Sequence, residues 1–233
     1  LDTGERPARP ATLDEILVDR ERRLTAYQDA DYARRYRERV ERVRAADPRA
    51  GEAGSVTLAA ARQLYKLMAY KDEYEVARLY SDGDFRRKLE ERFDGDYELR
   101  YNLAPPIFSR RDPMTGHLQK KEFGPWMMKA FGLLARLRFL RGTRFDPFGY
   151  TAERRRERED IEDYCTLLET LASHLGADNY AVARELADLP GRLRGFGHVK
   201  DRNRESLAPR RDELLRCFHG EERGAVVRIV DAA

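Results

Sequence analysis

The sequence predicts a mainly α-helical fold, in which several packed helices accompany one small β-hairpin. Apolar residues recur at intervals of three and four through most of the chain, which is the spacing of one helix face. Ser, Thr or Asp precedes most of these segments, and these residues cap helix N-termini. Alternation with a period of two, typical of strands, appears at residues 97–103. A hairpin is therefore expected within residues 97–123.

The first eleven residues differ from the rest. They contain Pro7 and Pro10 and are predicted to be a linker from an upstream domain, whereas residues 12–233 are predicted to form a single α-helical C-terminal domain. The formal net charge is +3, from 45 cationic and 42 anionic residues that are closely interspersed. Such mixing indicates solvated helix faces with ion pairs one turn apart, and it argues against a nucleic-acid partner, for which cations gather on one face.

The first helical region is predicted to break near its middle. Residues 12–15 (Thr-Leu-Asp-Glu) have the sequence of a capping box, in which the Thr and Glu side chains satisfy backbone N–H groups reciprocally. Apolar residues then follow at helical spacing up to Tyr27, but the next one, Tyr32, comes five residues later. This step predicts a bend or break near Asp29.

The middle of the chain is predicted to hold two further helices, the hairpin and another helix. One helix runs from its cap Thr57 to about residue 80, and a short helix capped by Asp84 follows. The hairpin strands are expected at residues 97–103 and 117–123. Pro125 suits the first turn of the next helix, which is expected to end near residue 140.

Three helices are predicted in the last third, at residues 151–174, at residues 178–190, and from residue 206 or 209 to residue 218. Residues 191–204, with three glycines, are predicted to be a loop, and residues 225–230 a short edge strand.

The usual motifs of catalytic and nucleotide-binding sites are missing. The sequence has no GxGxxG, GxxxxGK[ST], HExxH or GxSxG motif. The histidines are isolated, and Cys165 and Cys217 do not form a CxxC pair. We therefore expect no catalytic residue, metal or cofactor in this chain, and a reducing, cytoplasmic setting. No apolar run approaches the roughly 20 residues that span a bilayer, so no membrane partner is expected.

A carboxylate on an apolar stripe is the first candidate for a special role. Asp72 lies four residues after Met68 and four before Val76, so the predicted helix would bury it. Burying a carboxylate is costly unless it is paired, and we favour an ion pair with an Arg of a packed helix. The alternative is a contact with the substrate or cofactor of a larger enzyme. The neighbours Lys71 and Glu73 are further candidates for buried polar or interface residues.

A glycine-rich segment is the candidate for cofactor binding. Its glycines let backbone N–H groups approach a phosphate, and its cations add charge. The alternative is a loop that Phe196 pins to its own domain. The candidate residues are Arg194, Gly195, Gly197, His198 and Lys200.

Trp126, the only Trp in the chain, is the third candidate. It lies with two Met residues in the segment 123–131, whose helical spacing is typical of a core. An exposed part of this segment would instead mark a docking surface, and Trp126 is therefore an interface candidate.

Four phrases, in order, carry a family resemblance: AYKDEYEVARLY (69–80), EFGPWM (122–127), RGT with FDPFGY (within 141–150) and RGFGHVK (194–200). Together they resemble the C-terminal region of the large, single-chain bacterial indolepyruvate ferredoxin oxidoreductases, which belong to the 2-oxoacid:ferredoxin oxidoreductases. The similarity extends from about residue 12 to residue 218.

The resemblance implies a longer parent enzyme that decarboxylates arylpyruvates oxidatively to acyl-CoA and reduces ferredoxin. In such parents the thiamine diphosphate and iron–sulfur parts lie N-terminal to this region. The chain itself is expected to be a structural or docking domain that packs on the parent's catalytic domains or across a parent dimer, with ferredoxin and coenzyme A as partners of the parent. The alternatives are a module that binds coenzyme A or the 2-oxoacid, and an unrelated helical protein that binds a partner.

Overall fold

Helices form most of the chain, with a single two-stranded antiparallel sheet among the described residues, as predicted. The computed structural model describes residues 12–95, 98–103, 121–195 and 198–221. The chain divides into two compact units: unit 1 comprises residues 1–69 and 156–233, and unit 2 residues 70–155. The linker at residues 1–11 and the edge strand at residues 225–230 lie outside the described residues, and the single domain at 12–233 stays a prediction.

The predicted break between the first two helices is confirmed. Helix α1 (Leu13–Tyr27) begins with a complete capping box: Thr12 Oγ1 accepts from the Glu15 N–H at 3.3 Å, and a Glu15 carboxylate oxygen accepts from the Thr12 N–H at 3.0 Å. Helix α2 (Ala30–Ala46) begins anew because the Asp29 carboxylate accepts from the Tyr32 N–H at 2.7 Å.

Tyrosine hydroxyls join the helices of unit 1, whose other members are α3 (Val56–Met68), α8 (Tyr180–Asp188), α9 (His198–His219) and most of α7 (Ala152–His174). Tyr36 of α2 is fully buried and donates to the Ala61 carbonyl of α3 at 2.9 Å. Tyr164 of α7 donates to the Ala187 carbonyl of α8 at 2.6 Å. These bonds satisfy the one polar atom of each buried ring, so the rings can fill the core at little cost.

The predicted helix from residue 57 to residue 80 is wrong as one element. It is divided into α3 and α4 (Glu73–Ser81), because Asp72 has an extended backbone and acts as the N-cap of α4. The cap of α3 is Ser55, whereas Thr57 is buried and donates to Asp47. Likewise Asp82, and not Asp84, caps the next helix α5 (Gly83–Glu90).

Unit 2 packs its hairpin against two helices. Strand β1 (Tyr101–Leu103) pairs antiparallel with β2 (Lys121–Phe123), so the hairpin is present and its strands are shorter than predicted. Tyr101 packs against Phe131 of α6 (Met127–Arg136) with their ring centroids 5.4 Å apart. A 3-10 turn at Leu137–Leu140 follows α6, and Gly142, with φ of +73°, ends this segment.

The last third contains the largest error of the sequence analysis. Helix α7 was predicted well, and α8 passes into a 3-10 turn at Leu189–Arg192. The predicted loop at residues 191–204, however, includes the first turns of α9, and Pro209 lies inside this helix instead of starting it. No side chain described in α9 before Leu214 is buried, so this half of the helix has no apolar stripe to reveal it.

Candidate functional site

The best-defined polar site of unit 2 is a buried ion pair between Asp72 and Arg141. Each of the two side chains is 3% exposed, and the guanidinium donates to both carboxylate oxygens, at 2.5 and 2.8 Å. Asp72 also accepts from the Glu75 N–H at 2.8 Å, as the N-cap of α4. The carboxylate is therefore buried and held by three hydrogen bonds from the protein itself, which favours a structural role over contact with a substrate.

A second buried carboxylate lies beside this pair. Asp146 is 3% exposed and accepts from the Tyr74 hydroxyl at 3.1 Å and from the backbone N–H groups of Gly142 and Phe148 at 2.8 and 3.1 Å. Burial, and then the Asp146 charge, raise the pKa of Tyr74. A Cβ at Gly149 would stand 2.7 Å from an Asp146 oxygen, so the glycine is needed for this close approach.

The other candidates of this segment lie near the surface. Glu73 is half-buried and pairs with Arg154 at 3.3 Å, and the guanidinium of Arg154 also lies over the Tyr70 ring. Lys71 is exposed. Trp126 is 60% exposed, so this residue is not part of the core.

The described residues of the glycine-rich segment contact helices of unit 1. Arg194 is exposed, and its carbonyl accepts from Asn203 of α9 at 3.4 Å. Gly195 has a φ of +93°, and a Cβ there would stand 2.6 Å from Val199. A glycine is thus required at this position for two reasons: its φ is positive, and a side chain would collide with Val199 in the first turn of α9. Phe196 and Gly197 lie outside the described residues, as does the side chain of His198.

Lys200, the remaining candidate, faces carboxylates. Its ammonium lies 2.5 Å from Glu157 and 3.5 Å from Asp160, both of α7. Arg204 also donates to Asp160, at 2.6 and 2.9 Å. Because these cations are neutralised by two anions, they are poor ligands for a phosphate.

Lys66 of α3 donates three hydrogen bonds to backbone carbonyls. Lys66 donates to the carbonyls of Pro190, Gly191 and Leu193 at 2.8, 3.2 and 2.8 Å. Burial lowers the pKa of Lys66, and the nearby cations of the glycine-rich segment add to this effect. The lysine holds the end of the 3-10 turn in place.

Unit 1 also contains an open cleft of about 440 Å³. Residues of α7, α9 and α8 with its 3-10 turn line most of it, and Leu67 of α3 and Leu193 contribute the rest. Most of the lining is apolar, and Arg211 and Asp163 are among its charged members. The apolar lining includes Leu167, Leu189, Leu193, Leu207 and Leu215. A cleft of this size and composition is typical of small-ligand sites.

Sequence analysis did not find three of the polar residues that organise these sites: Arg141, Asp146 and Glu157. For Asp146 a signal existed, because an Asp between glycines and a proline in residues 142–149 is typical of a tight turn with a side chain bonded to backbone. Arg141 and Glu157 occur among many similar charges, and their burial depends on long-range packing that has no local pattern.

The described residues contain neither a metal-binding cluster nor a membrane-spanning helix. In the described part of the chain, no three His, Cys, Asp or Glu side chains converge in a way that could hold a metal ion. Over the same residues, no helix is long and apolar enough to cross a membrane.

Comparisons with known proteins give one match. Residues 13–213 match DUF6537, which is described as a family of unknown function. Neither a curated protein nor a solved structure matches the chain.

Proposed function

Since the chain belongs to the DUF6537 family of unknown function, we propose a role for it from its resemblance and its sites. The chain is a structural docking domain of a larger enzyme that resembles indolepyruvate ferredoxin oxidoreductase. That enzyme oxidatively decarboxylates arylpyruvates to acyl-CoA in the cytoplasm, and it passes the electrons to ferredoxin.

One observation carries this proposal: the phrases behind the resemblance contact each other inside the protein. Asp72, in the phrase at 69–80, pairs with Arg141 at 2.5 Å, and Tyr74 donates to Asp146 of the phrase at 141–150. What this chain has in common with such enzymes is therefore a set of internal contacts. Such contacts favour a common fold over a common reaction centre.

The proposal assigns the cofactors to the parent. Thiamine diphosphate and iron–sulfur centres belong to its N-terminal parts, because the motifs for them are missing from this sequence. The direct partners of the chain are then the catalytic domains of the parent or a parent dimer mate. Ferredoxin and coenzyme A act through the parent.

Expression of the longest reading frame that contains this chain tests the proposal. The full product should reduce ferredoxin or an artificial acceptor with indolepyruvate and coenzyme A, whereas the 233-residue chain should be colourless and inactive. Bound iron in the isolated chain would contradict the proposal. A reading frame without thiamine and cluster motifs would do so as well, and it would favour an unrelated partner-binding protein.

The cleft of unit 1 favours a second candidate, a module that binds coenzyme A or the 2-oxoacid. An indole ring fits an apolar lining, and Arg211, which also lines the cleft, supplies a cation for a carboxylate. Calorimetry of the isolated chain with indolepyruvate and with coenzyme A distinguishes the candidates. Saturable binding that Leu207→Asp abolishes and Val18→Asp preserves would favour this module, whereas absence of heat with both ligands would eliminate it.

A further inference from the structure

Unit 2 exposes much of the apolar surface of the protein. Nine large apolar side chains of the described residues are exposed, and seven of them belong to residues 70–155. Large exposed apolar groups in a cluster mark interaction sites, whereas single ones are ordinary. The seven are Leu79, Phe93, Trp126, Leu133, Phe139, Phe145 and Tyr150.

Three of these side chains belong to α6 and its boundaries. Trp126 and Leu133 are 60% and 62% exposed, and they are seven residues apart, which places them on the same side of the helix. Phe139, in the 3-10 turn that follows, is 60% exposed. The opposite side of α6 is buried through Met127 and Phe131. Trp126 and Leu133 therefore form a second apolar side of α6, which the core of unit 2 does not bury, and Phe139 extends the exposed apolar surface along the chain.

Cations accompany this face. Lys129 and Arg136, also seven residues apart, are exposed on α6, and they form no ion pair with another described residue. The only acidic residue in positions 124–150 is Asp146, which is buried and fully bonded. The arginines of the other helices are different, because many pair one turn away, as Arg23 does with Asp19 at 2.8 Å.

We propose that this face, the α6 ridge (Trp126, Lys129, Leu133, Arg136 and Phe139), binds an acidic protein surface with an apolar recess on the catalytic part of the parent. The inference rests on the proposed function and adds the surface and the chemistry of its partner. Trp and Arg are the residues that contribute most to protein interfaces, and aligned cations favour a carboxylate-rich partner.

The composition of the ridge argues against other occupants. A nucleic acid is bound mainly through many phosphate contacts, and two cations supply few. The segment at residues 104–120 of the same chain has three cations and one anion, so its charge is not complementary.

Hydrogen exchange of residues 126–140 provides the test, in the isolated chain and in the full-length parent. These amides should exchange about tenfold more slowly in the parent, because docking suppresses local opening. Trp126→Ser with Leu133→Ser should abolish this protection, and Lys129→Glu with Arg136→Glu should reduce it. The control pair Val18→Ser and Arg202→Glu changes an equally exposed apolar residue and an exposed cation of unit 1, and should have no effect.

Each other outcome overturns the inference in a recognisable way. Equal exchange in both proteins means that nothing docks on the ridge. Trp126 is the only Trp of the chain, so its fluorescence identifies other occupants. A blue shift that grows with the concentration of the isolated chain means a second copy, and an equal shift with anionic vesicles means a lipid surface.

The readout does not depend on the reaction. A parent that protects the ridge and does not act on 2-oxoacids overturns the proposed function and leaves the docking inference standing. An active parent with an unprotected ridge overturns the docking inference alone.

Discussion

At the scale of single residues, the Asp72 carboxylate combines two tasks that proteins usually give to different side chains. It caps α4 and it neutralises Arg141, and both side chains are buried. Sequence analysis identified Asp72 and an Arg partner from the cost of a buried charge. It placed the residue inside a helix, because the apolar spacing continues from α3 into α4 and hides the break.

Asp72→Ala should lower the free energy of unfolding by about 3–5 kcal/mol, since it leaves a buried cation without its partner and removes a helix cap. Asp72→Asn can still cap α4, so it should cost less than the Ala variant. Urea denaturation of both variants measures this difference. Adding Arg141→Met to Asp72→Ala should restore part of the loss, and a double variant no more stable than the Ala variant would contradict the pairing.

Two glycines of unit 2, Gly149 and Gly132, differ in the space around them, so alanine should have opposite effects on stability at the two positions. Gly149→Ala should destabilise the protein by about 1–3 kcal/mol, because the new Cβ meets the Asp146 carboxylate at 2.7 Å and three donors hold that group in place. Gly132→Ala should stabilise it by about 0.5–1 kcal/mol, since Gly132 lies within α6 with no atom near its added Cβ. Thermal denaturation measures whether each variant is more or less stable than the unmodified protein. A stabilised Gly149→Ala variant would show that the Asp146 carboxylate is free to move away from the new Cβ.

At the scale of elements, α9 is a helix whose first half is joined to α7 by charges. Lys200 and Arg204 pair with Glu157 and Asp160, and none of these four side chains is more than 22% exposed. Periodicity predicted α1, α2 and α7, whose apolar faces are buried. It failed for the start of α9, because a helix held by ion pairs leaves a charge pattern that resembles that of a loop.

Arg204→Gln should loosen the first half of α9. Its amides at residues 198–208 should exchange roughly fivefold faster, which corresponds to the loss of about 1 kcal/mol from one charged hydrogen-bond pair. Arg202→Gln, an exposed change on the same helix, is the control. Concentrated salt should have a smaller effect in the same direction on the unmodified protein. Equal exchange in the two variants would show that the Asp160 pair does not hold α9.

At the scale of the whole molecule, buried tyrosines make the fold sensitive to alkali. Burial raises the pKa of Tyr36, Tyr164 and Tyr180 above the ordinary value near 10. The unfolded chain therefore releases these protons first. The stability that they contribute is complete below pH 10, and it is lost as the pH rises from there toward their folded-state values.

Denaturation at increasing pH checks this expectation, with the free energy of unfolding falling steeply above pH 10. Tyr36→Phe removes one titrating group, so its slope should be smaller by up to about 1.4 kcal/mol per pH unit. At neutral pH the same variant should be less stable by about 1 kcal/mol, because it loses the bond to the Ala61 carbonyl. A slope that the substitution leaves unchanged would show that Tyr36 ionises without unfolding.

The order of the two units along the chain has a consequence for synthesis on the ribosome. Unit 2 is continuous, whereas unit 1 begins before it and resumes after it. Helix α3 leaves the ribosome more than a hundred residues ahead of α8, whose Tyr180 hydroxyl accepts from the Val56 N–H at the start of α3 at 3.3 Å. Until residues of unit 1 reappear in α7, helices α1, α2 and α3 can pack only on one another, whereas all residues of unit 2 have been made before α8 begins. The nascent chain thus completes its second unit before its first, and it keeps the α8-binding side of α3 uncovered until α8 has been made.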